Sequence, residues 1–323
     1  MFPERKRLAT ALATAVTLAA AAAACGSTAS SGTSAAAPSA AGPAVRVVAS
    51  TNVYGSIVAA VGGDRVGVTS LIRSADADPH EYEATPADAA AVNEARLVVV
   101  NGGGYDEFAT RLVDSAATKP TVVNVVDLSG LQTATATPAA GGDAPEFNEH
   151  VWYSLPTVEK LADRLAADLA AADPAGAGTY TANAATFKGK VDGIEAKLAA
   201  IKSAHGGDKV AITEPVPLYL VQDAGLVDVT PAEFSEAVEE GTDPPAAVLA
   251  ETLQLFTGRE VRALLPNVQT ESPSTTQVER AATGAGIPVV PVTETLPAGV
   301  DDYVAWQTRQ VDELAAALDK PVT

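Results

Sequence analysis

This 323-residue chain has one cysteine, three histidines, few positive charges and no apolar run long enough to span a bilayer, and each scarcity excludes something. A single thiol, Cys25, leaves no intrachain disulfide, so an exported form must rely on its core, and the chain is long enough to build a large one. The histidines, His80, His150 and His205, never form a His-Glu-x-x-His helix, and no Gly-x-Ser-x-Gly nucleophile elbow occurs, so neither of those hydrolase signatures is available. Lys and Arg number 21 against 40 Asp and Glu, a formal charge of −19 that argues against nucleic acid and anionic lipid as partners. The longest apolar run, Leu8 to Ala24, falls short of the about 20 residues a spanning helix needs.

What is present at the N-terminus reads as an export signal over residues 1–24, with Arg5-Lys6-Arg7 ahead of the apolar run and small residues ahead of Cys25-Gly26-Ser27. A cysteine at that place suits lipoprotein processing, in which the thiol is acylated after cleavage. From Gly26 to Ala44 the chain holds only small, uncharged or Pro residues, too poor in large apolar groups to order itself, so 25–44 is expected to be a lipid-anchored tether. The mature protein is then extracytoplasmic, held at the cell membrane through Cys25.

After the tether, β-type runs (Val45 to Ala49, Val66 to Ile72, Leu97 to Val100, Val122 to Val126) alternate with helix-type runs (Val53 to Val61, Ala87 to Glu94, Tyr105 to Ala116). Alternation at this spacing predicts parallel βαβ units. A second series starts at Val210 and ends in an amphipathic helix from about Asp301 to Leu318. Between them, Tyr180, Phe187, Val191, Ile194, Leu198 and Ile201 share one helical face, predicting a helix from Pro174 to Ser203 of about 45 Å. The expected fold is α/β, with two lobes of parallel βαβ units (45–173 and 205–323) joined by a long linking helix (174–204).

Four residues stand at breaks between strand-type and helix-type runs, the positions that converge on one cleft in α/β folds. His80 lies in Asp78-Pro79-His80-Glu81-Tyr82, just before a helix start at Thr85-Pro86-Ala87-Asp88 with Thr as cap and Pro first. His150 lies in Glu149-His150-Val151-Trp152, before a helix beginning near Pro156. Glu214 follows Val210-Ala211-Ile212-Thr213 and precedes Pro215, which stops the strand. Glu294 follows the apolar run from Ile287 to Thr293, with Glu271 and Asp301 as alternatives for its role. Two imidazoles and two carboxylates without a thiolate suit Zn²⁺ or Mn²⁺ and not Cu⁺.

The strings Asp78-Pro79-His80-Glu81-Tyr82 and Glu149-His150-Val151-Trp152 resemble the two histidine-ligand motifs of solute-binding proteins that serve zinc and manganese ABC importers, and the resemblance runs from about Val45 to the C-terminus. It implies a metal site of His80, His150, Glu214 and Glu294, a divalent metal ion as cargo, a membrane ABC permease as partner, and a monomer without enzymatic activity. It also implies a two-lobed fold with a linking helix. Two departures stand out: Ser154 replaces the acidic residue common after His-Val-Trp and is expected to cap the following helix, and residues 131–149 hold no histidine-rich loop. Glu214 at the third position resembles manganese binders, whereas intrinsic affinity rises from Mn²⁺ to Zn²⁺ at almost any such site. Competing readings are a metal-binding adhesin or surface scaffold, and a zinc hydrolase, which would need an open coordination position that four protein ligands close.

Three further segments bear on the cleft. His205 ends the linking helix, where a cation suits the dipole, and reads as structural. Asn101-Gly102-Gly103-Gly104 sits where a phosphate loop would but matches no nucleotide pattern, and is expected to be a packed turn at the cleft edge. Asn267 to Gln269 follows an apolar run and is expected to line the same cleft, where a bound imidazole would need an acceptor for its second nitrogen.

Overall fold

The computed structural model describes residues 45–74, 79, 82–134 and 147–321, so the expectations for the export signal, Cys25, the tether and His80 lie outside the described residues. In chain order the elements are β1 (Val45–Thr51), α1 (Asn52–Gly62), β2 (Val66–Ile72), α2 (Pro86–Glu94), β3 (Leu97–Val100), α3 (Glu107–Ser115), β4 (Thr121–Asn124), α4 (Val125–Ser129), α5 (Leu131–Ala134), α6 (Leu155–Ala172) and α7 (Ala177–His205). The second half holds β5 (Lys209–Ile212), α8 (Leu218–Asp223), β6 (Val227–Asp228), α9 (Ala232–Glu239), α10 (Ala246–Thr257), β7 (Leu264–Leu265), α11 (Pro273–Gly284) and α12 (Tyr303–Leu318). Among these, no helix is long and apolar enough to cross a membrane.

The first sheet is parallel throughout, in the order β2-β1-β3-β4, with Val47 opposite Val68 on one side and Leu97 on the other. Helices cover both faces, which is why β3 is the unbroken run Leu-Val-Val-Val with every residue buried. The second sheet, β6-β5-β7, is also parallel.

Two strand expectations are corrected. β4 ends at Asn124 because the Asn124 side chain accepts from the Asp127 backbone N–H and starts α4 where the strand was expected to continue. The run from Ile287 to Thr293 forms only isolated parallel bridges, Leu264 with Val289 and Asn267 with Val292. Leu264 N donates to Pro288 O, Val290 N to Leu264 O, Val292 N to Pro266 O and Val268 N to Val292 O, so a ladder is nearly complete. The missing rung is the one that Pro266, lacking an N–H, cannot donate.

The linking helix begins one turn later than expected: Pro174–Gly176 forms a 3₁₀ turn and α7 then runs for 29 residues, about 44 Å. Its buried residues, Tyr180, Ala184, Phe187, Val191, Ile194, Leu198 and Ile201, alternate spacings of four and three, one stripe facing the core. α7 packs against α1, α6 and α12, elements from both halves of the chain. The largest core cluster is correspondingly shared: it takes in Val47 and Ala49 of β1, Leu161 and Leu165 of α6, Val210 and Ile212 of β5, and Trp306 and Leu314 of α12. Trp152, Tyr153, Tyr303 and Trp306 form a chain of ring contacts through the middle of this core.

Polar bonds cross the same junction. Asn52 pairs with the Leu296 backbone in both directions, at 3.0 and 3.2 Å, and Ser56 accepts from Tyr303 N while donating to Asp301 O. Tyr153 donates to Thr293 O at 2.7 Å, and Tyr303 donates to Trp152 O at 2.7 Å. A junction that buries large aromatics and ties loop backbone from one half to side chains of the other resists wide hinge opening, because opening would expose both.

Candidate metal centre

His150 ends the loop before α6, in a backbone conformation outside the helix (φ −73°, ψ 47°), and its ring is almost wholly buried. Asn148 fixes that ring. Its Oδ1 accepts from the His150 backbone N–H at 3.0 Å, an Asx-type turn, and lies 2.7 Å from Nδ1. Asn148 Nδ2 donates to Pro215 O at 3.0 Å, which sets the amide so that oxygen faces the ring; Nδ1 therefore carries the proton and Nε2 is the basic nitrogen. Tyr105 and Trp152 pack against the ring at centroid distances of 5.9 and 5.1 Å.

The loop under His150 is held by the glycine-rich turn. Asp106 accepts from the Asn101 and Gly102 N–H groups at 2.6 and 2.9 Å, and Asn101 Nδ2 donates to the Glu149 carbonyl at 3.0 Å. Gly102 has φ +79°, and a Cβ there would meet Asn124 at 2.3 Å. Two of the turn's amides are thus spent on Asp106, and the turn braces the His150 loop. Burial raises the Asp106 carboxyl pKa, while those amides and the Ser50 hydroxyl oppose the rise by favouring its charged form.

Glu214 leaves the end of β5 and Glu294 follows the bridged run, and each is 2% exposed. One amide serves both: Asn267 Nδ2 donates to Glu214 Oε2 at 2.9 Å and to Glu294 Oε1 at 2.8 Å. Asn267 is held in turn by its backbone N–H to Thr213 Oγ1, and Thr270 donates its hydroxyl to Glu214 Oε1. Gln269 Oε1 accepts from the Glu294 and Thr295 N–H groups at 2.6 and 3.0 Å, which fixes the backbone that presents Glu294. Tyr105 donates to Glu294 Oε2 at 3.1 Å, and burial together with the Glu294 charge holds this phenol well above its ordinary pKa, so it remains a donor.

The structure therefore brings Glu214 and Glu294 together on one amide and links them to His150 through Tyr105. His80 lies outside the described residues; its neighbour Tyr82 donates to Asp88 Oδ2 at 3.0 Å and packs on Phe108. The expected Thr85–Asp88 capping box is present at the start of α2. Ser154 stands at the start of α6 but its side chain bonds no backbone amide; instead it accepts from the Thr157 hydroxyl at 3.0 Å. His205 sits between Asp208 and Asp319, a structural pairing.

Among the described residues, Glu149, His150 and Glu239 also bring one ligand atom each to within 4.8 Å of one another, with His150 Nε2 3.7 Å from Glu239 Oε1. Sequence reasoning passed over Glu239, Asn148, Tyr105 and Thr270. Only Asn148 carried a local signal, an Asx residue two positions before a histidine.

Comparison with known proteins bears on the fold and the family. The chain is 33% identical over 149 residues to the manganese-binding lipoprotein MntA of Halalkalibacterium halodurans, covering 46% of this chain and 47% of that protein, so it spans about half the length of that relative. It is 27% identical over 230 residues to the metal ABC transporter substrate-binding lipoprotein FimA of Streptococcus parasanguinis, covering 67% of this chain and 71% of that one. Solved structures share the fold: ZnuA at TM-score 0.68 and 23% identity, covering 85% of this chain and all of that one, and the periplasmic zinc-binding protein TroA of Treponema pallidum at 0.69 and 17%, covering 86% and 100%. The sequence profile described as zinc-uptake complex component A, periplasmic (ZnuA) matches residues 47–317. The chain belongs to that family.

Proposed function

We propose that this protein captures a divalent transition metal ion, Zn²⁺ or Mn²⁺, outside the membrane and delivers it to an ABC import permease, with His80, His150, Glu214 and Glu294 as ligands. The observation that carries the reading is the pair of buried carboxyl groups, Glu214 and Glu294, drawn out of water onto the single amide of Asn267, with Tyr105 bonded to Glu294 and packed on the imidazole whose tautomer Asn148 fixes. Removing two acidic groups from water to one place is costly as charges, and a shared cation offsets that cost. The donor set, imidazole nitrogen and carboxylate oxygen without thiolate, suits these ions. Relatives named for manganese and for metal ABC transport support the cargo class and the permease.

We also propose that the protein is extracytoplasmic and held at the cell membrane by a lipid on Cys25 through the tether of residues 25–44, and that it is a monomer and not an enzyme. Four protein ligands leave no open coordination position for an attacking water, which separates this reading from a zinc hydrolase. The test is titration of metal-stripped protein with Zn²⁺ and with Mn²⁺, singly and in competition, with metal content measured after dialysis. One ion per chain, lost in His80→Ala, is the expected result; no stoichiometric binding of either ion would sink the reading.

A further inference from the structure

His150 faces a second carboxylate pair besides Glu214 and Glu294. Glu149 comes from the loop itself, and Glu239 is the last residue of α9. The end of α9 is well fixed: Gly241 takes φ +66°, Gly241 N donates to Val238 O at 3.0 Å, and Thr242 N donates to Ala237 O at 2.8 Å. The final turn nevertheless carries Glu236, Glu239 and Glu240 and no basic residue. Acidic side chains there meet the negative end of the helix dipole, an arrangement that a nearby cation relieves. Glu239 turns its carboxylate to the His150 imidazole, 3.7 Å from Nε2, and its side chain keeps 19% exposure, whereas Glu214 and Glu294 are 2% exposed as whole residues.

We propose that Glu149, His150 and Glu239 form an outer metal position, in which an incoming divalent cation is first held before it moves to the inner position that shares His150 with Glu214 and Glu294. This rests on the proposed capture of a metal ion. The His150 Nε2 offers one lone pair on a ring that Asn148 holds still, so the ion stays on that nitrogen and moves only by the shift its other ligands impose, as the Glu149 and Glu239 oxygens give way to Glu214, Glu294 and His80. The outer pair supplies oxygen ligands only, a donor type that accepts Mn²⁺ with little geometric demand.

The experiment uses Mn²⁺ itself as the probe, followed by electron paramagnetic resonance and by stopped-flow association, in wild type, Glu239→Gln, Glu214→Gln/Glu294→Gln, and the triple combination. Glu239→Gln is expected to slow association and dissociation alike, each at least tenfold, while the equilibrium Mn²⁺ affinity changes less than threefold, because a stopover absent from the final bound state alters both rates equally. The inner double variant is expected to retain one weakly bound Mn²⁺, which the added Glu239→Gln removes. An unchanged association rate in Glu239→Gln, or an inner double variant that binds no Mn²⁺ while its metal-free melting temperature matches wild type, overturns the outer position. Should the double variant fail to fold, the Glu239→Gln association rate alone decides. Wild type that binds no Mn²⁺ or Zn²⁺ overturns the capture reading itself and the outer position with it, a result distinct from either of the others.

Discussion

The two carboxylate pairs around His150 differ in what holds them, and the difference separates storage from access. Glu214 and Glu294 come from sheet ends, are buried, and are bonded by neutral donors: Asn267 to both, Thr270 to Glu214 and Tyr105 to Glu294. Glu149 and Glu239 come from a loop and a helix end, keep partial exposure, and have the imidazole as their common neighbour. Neutral donors hold a carboxylate in place without competing for its charge as a lysine or arginine would, so the inner pair stays preorganised for a cation. The outer pair is the less deeply buried of the two, since both its residues are half-buried.

His150 is the one side chain common to both pairs, so its loss should have the largest effect. His150→Ala is expected to abolish stoichiometric binding of Mn²⁺ and Zn²⁺ in equilibrium dialysis, a deficit beyond the roughly 10–100-fold typical of a residue that only orients a ligand. Retention of tight binding in this variant would dissolve the comparison, because the two pairs would then have no shared centre.

Asn267→Ala strikes the inner pair alone. It removes the donor to both carboxyl groups at once, so affinity should fall toward the upper end of that 10–100-fold range, read by isothermal titration. The fast association step assigned to the outer pair should persist, and its loss in this variant would show that the pairs are not separable. The metal-free protein should also lose stability, by about 3 kcal/mol for two hydrogen bonds to acidic groups, measured by urea unfolding.

Asn148→Ala acts on the imidazole without touching any carboxylate. Without the acceptor on Nδ1 the ring loses its fixed tautomer and orientation, and affinity is expected to drop about tenfold. Asn148→Asp, which keeps an acceptor at the same place, should recover most of that loss. Equal losses in both variants would mean that Asn148 supports only the loop backbone through Pro215.

How much of this could be read in the sequence follows the range of the interactions. The capping box at Thr85, the stripe on α7 and the parallel alternation are local patterns and stand close to where periodicity and cap chemistry put them. Asn267 and Gln269 were expected at the cleft, but their partners, 25 to 53 residues away, depend on how two strand ends meet. The run from Ile287 to Thr293 had strand composition, yet Pro266 on the neighbouring element removes one rung, a constraint no local window contains. Glu239 is the extreme case: on α9 it looks like any exposed helix-terminal glutamate, and only the tertiary fold turns it toward His150.

A remote carboxylate supplies the control with the smallest expected effect. Asp173, at the end of α6, accepts from Tyr180 at 2.8 Å and from Arg65 at 2.8 Å, joining α6, α7 and the turn after α1 well away from His150. The hydrogen bond from Tyr180, then that from Arg65, holds its pKa below the usual carboxylate value. A depressed folded pKa means that the unfolded chain takes up the proton first as pH falls, so the stabilisation is complete above the unfolded value of about 3.9 and fades as pH drops through the lower folded value. Asp173→Asn should therefore flatten the dependence of unfolding midpoint on pH in that acidic window, while Mn²⁺ affinity and association rate at neutral pH stay at wild-type values. A change in either metal parameter would mean that the carboxylates of this fold are coupled over long distances, and that the contrast between inner and outer pairs is not set by their immediate donors.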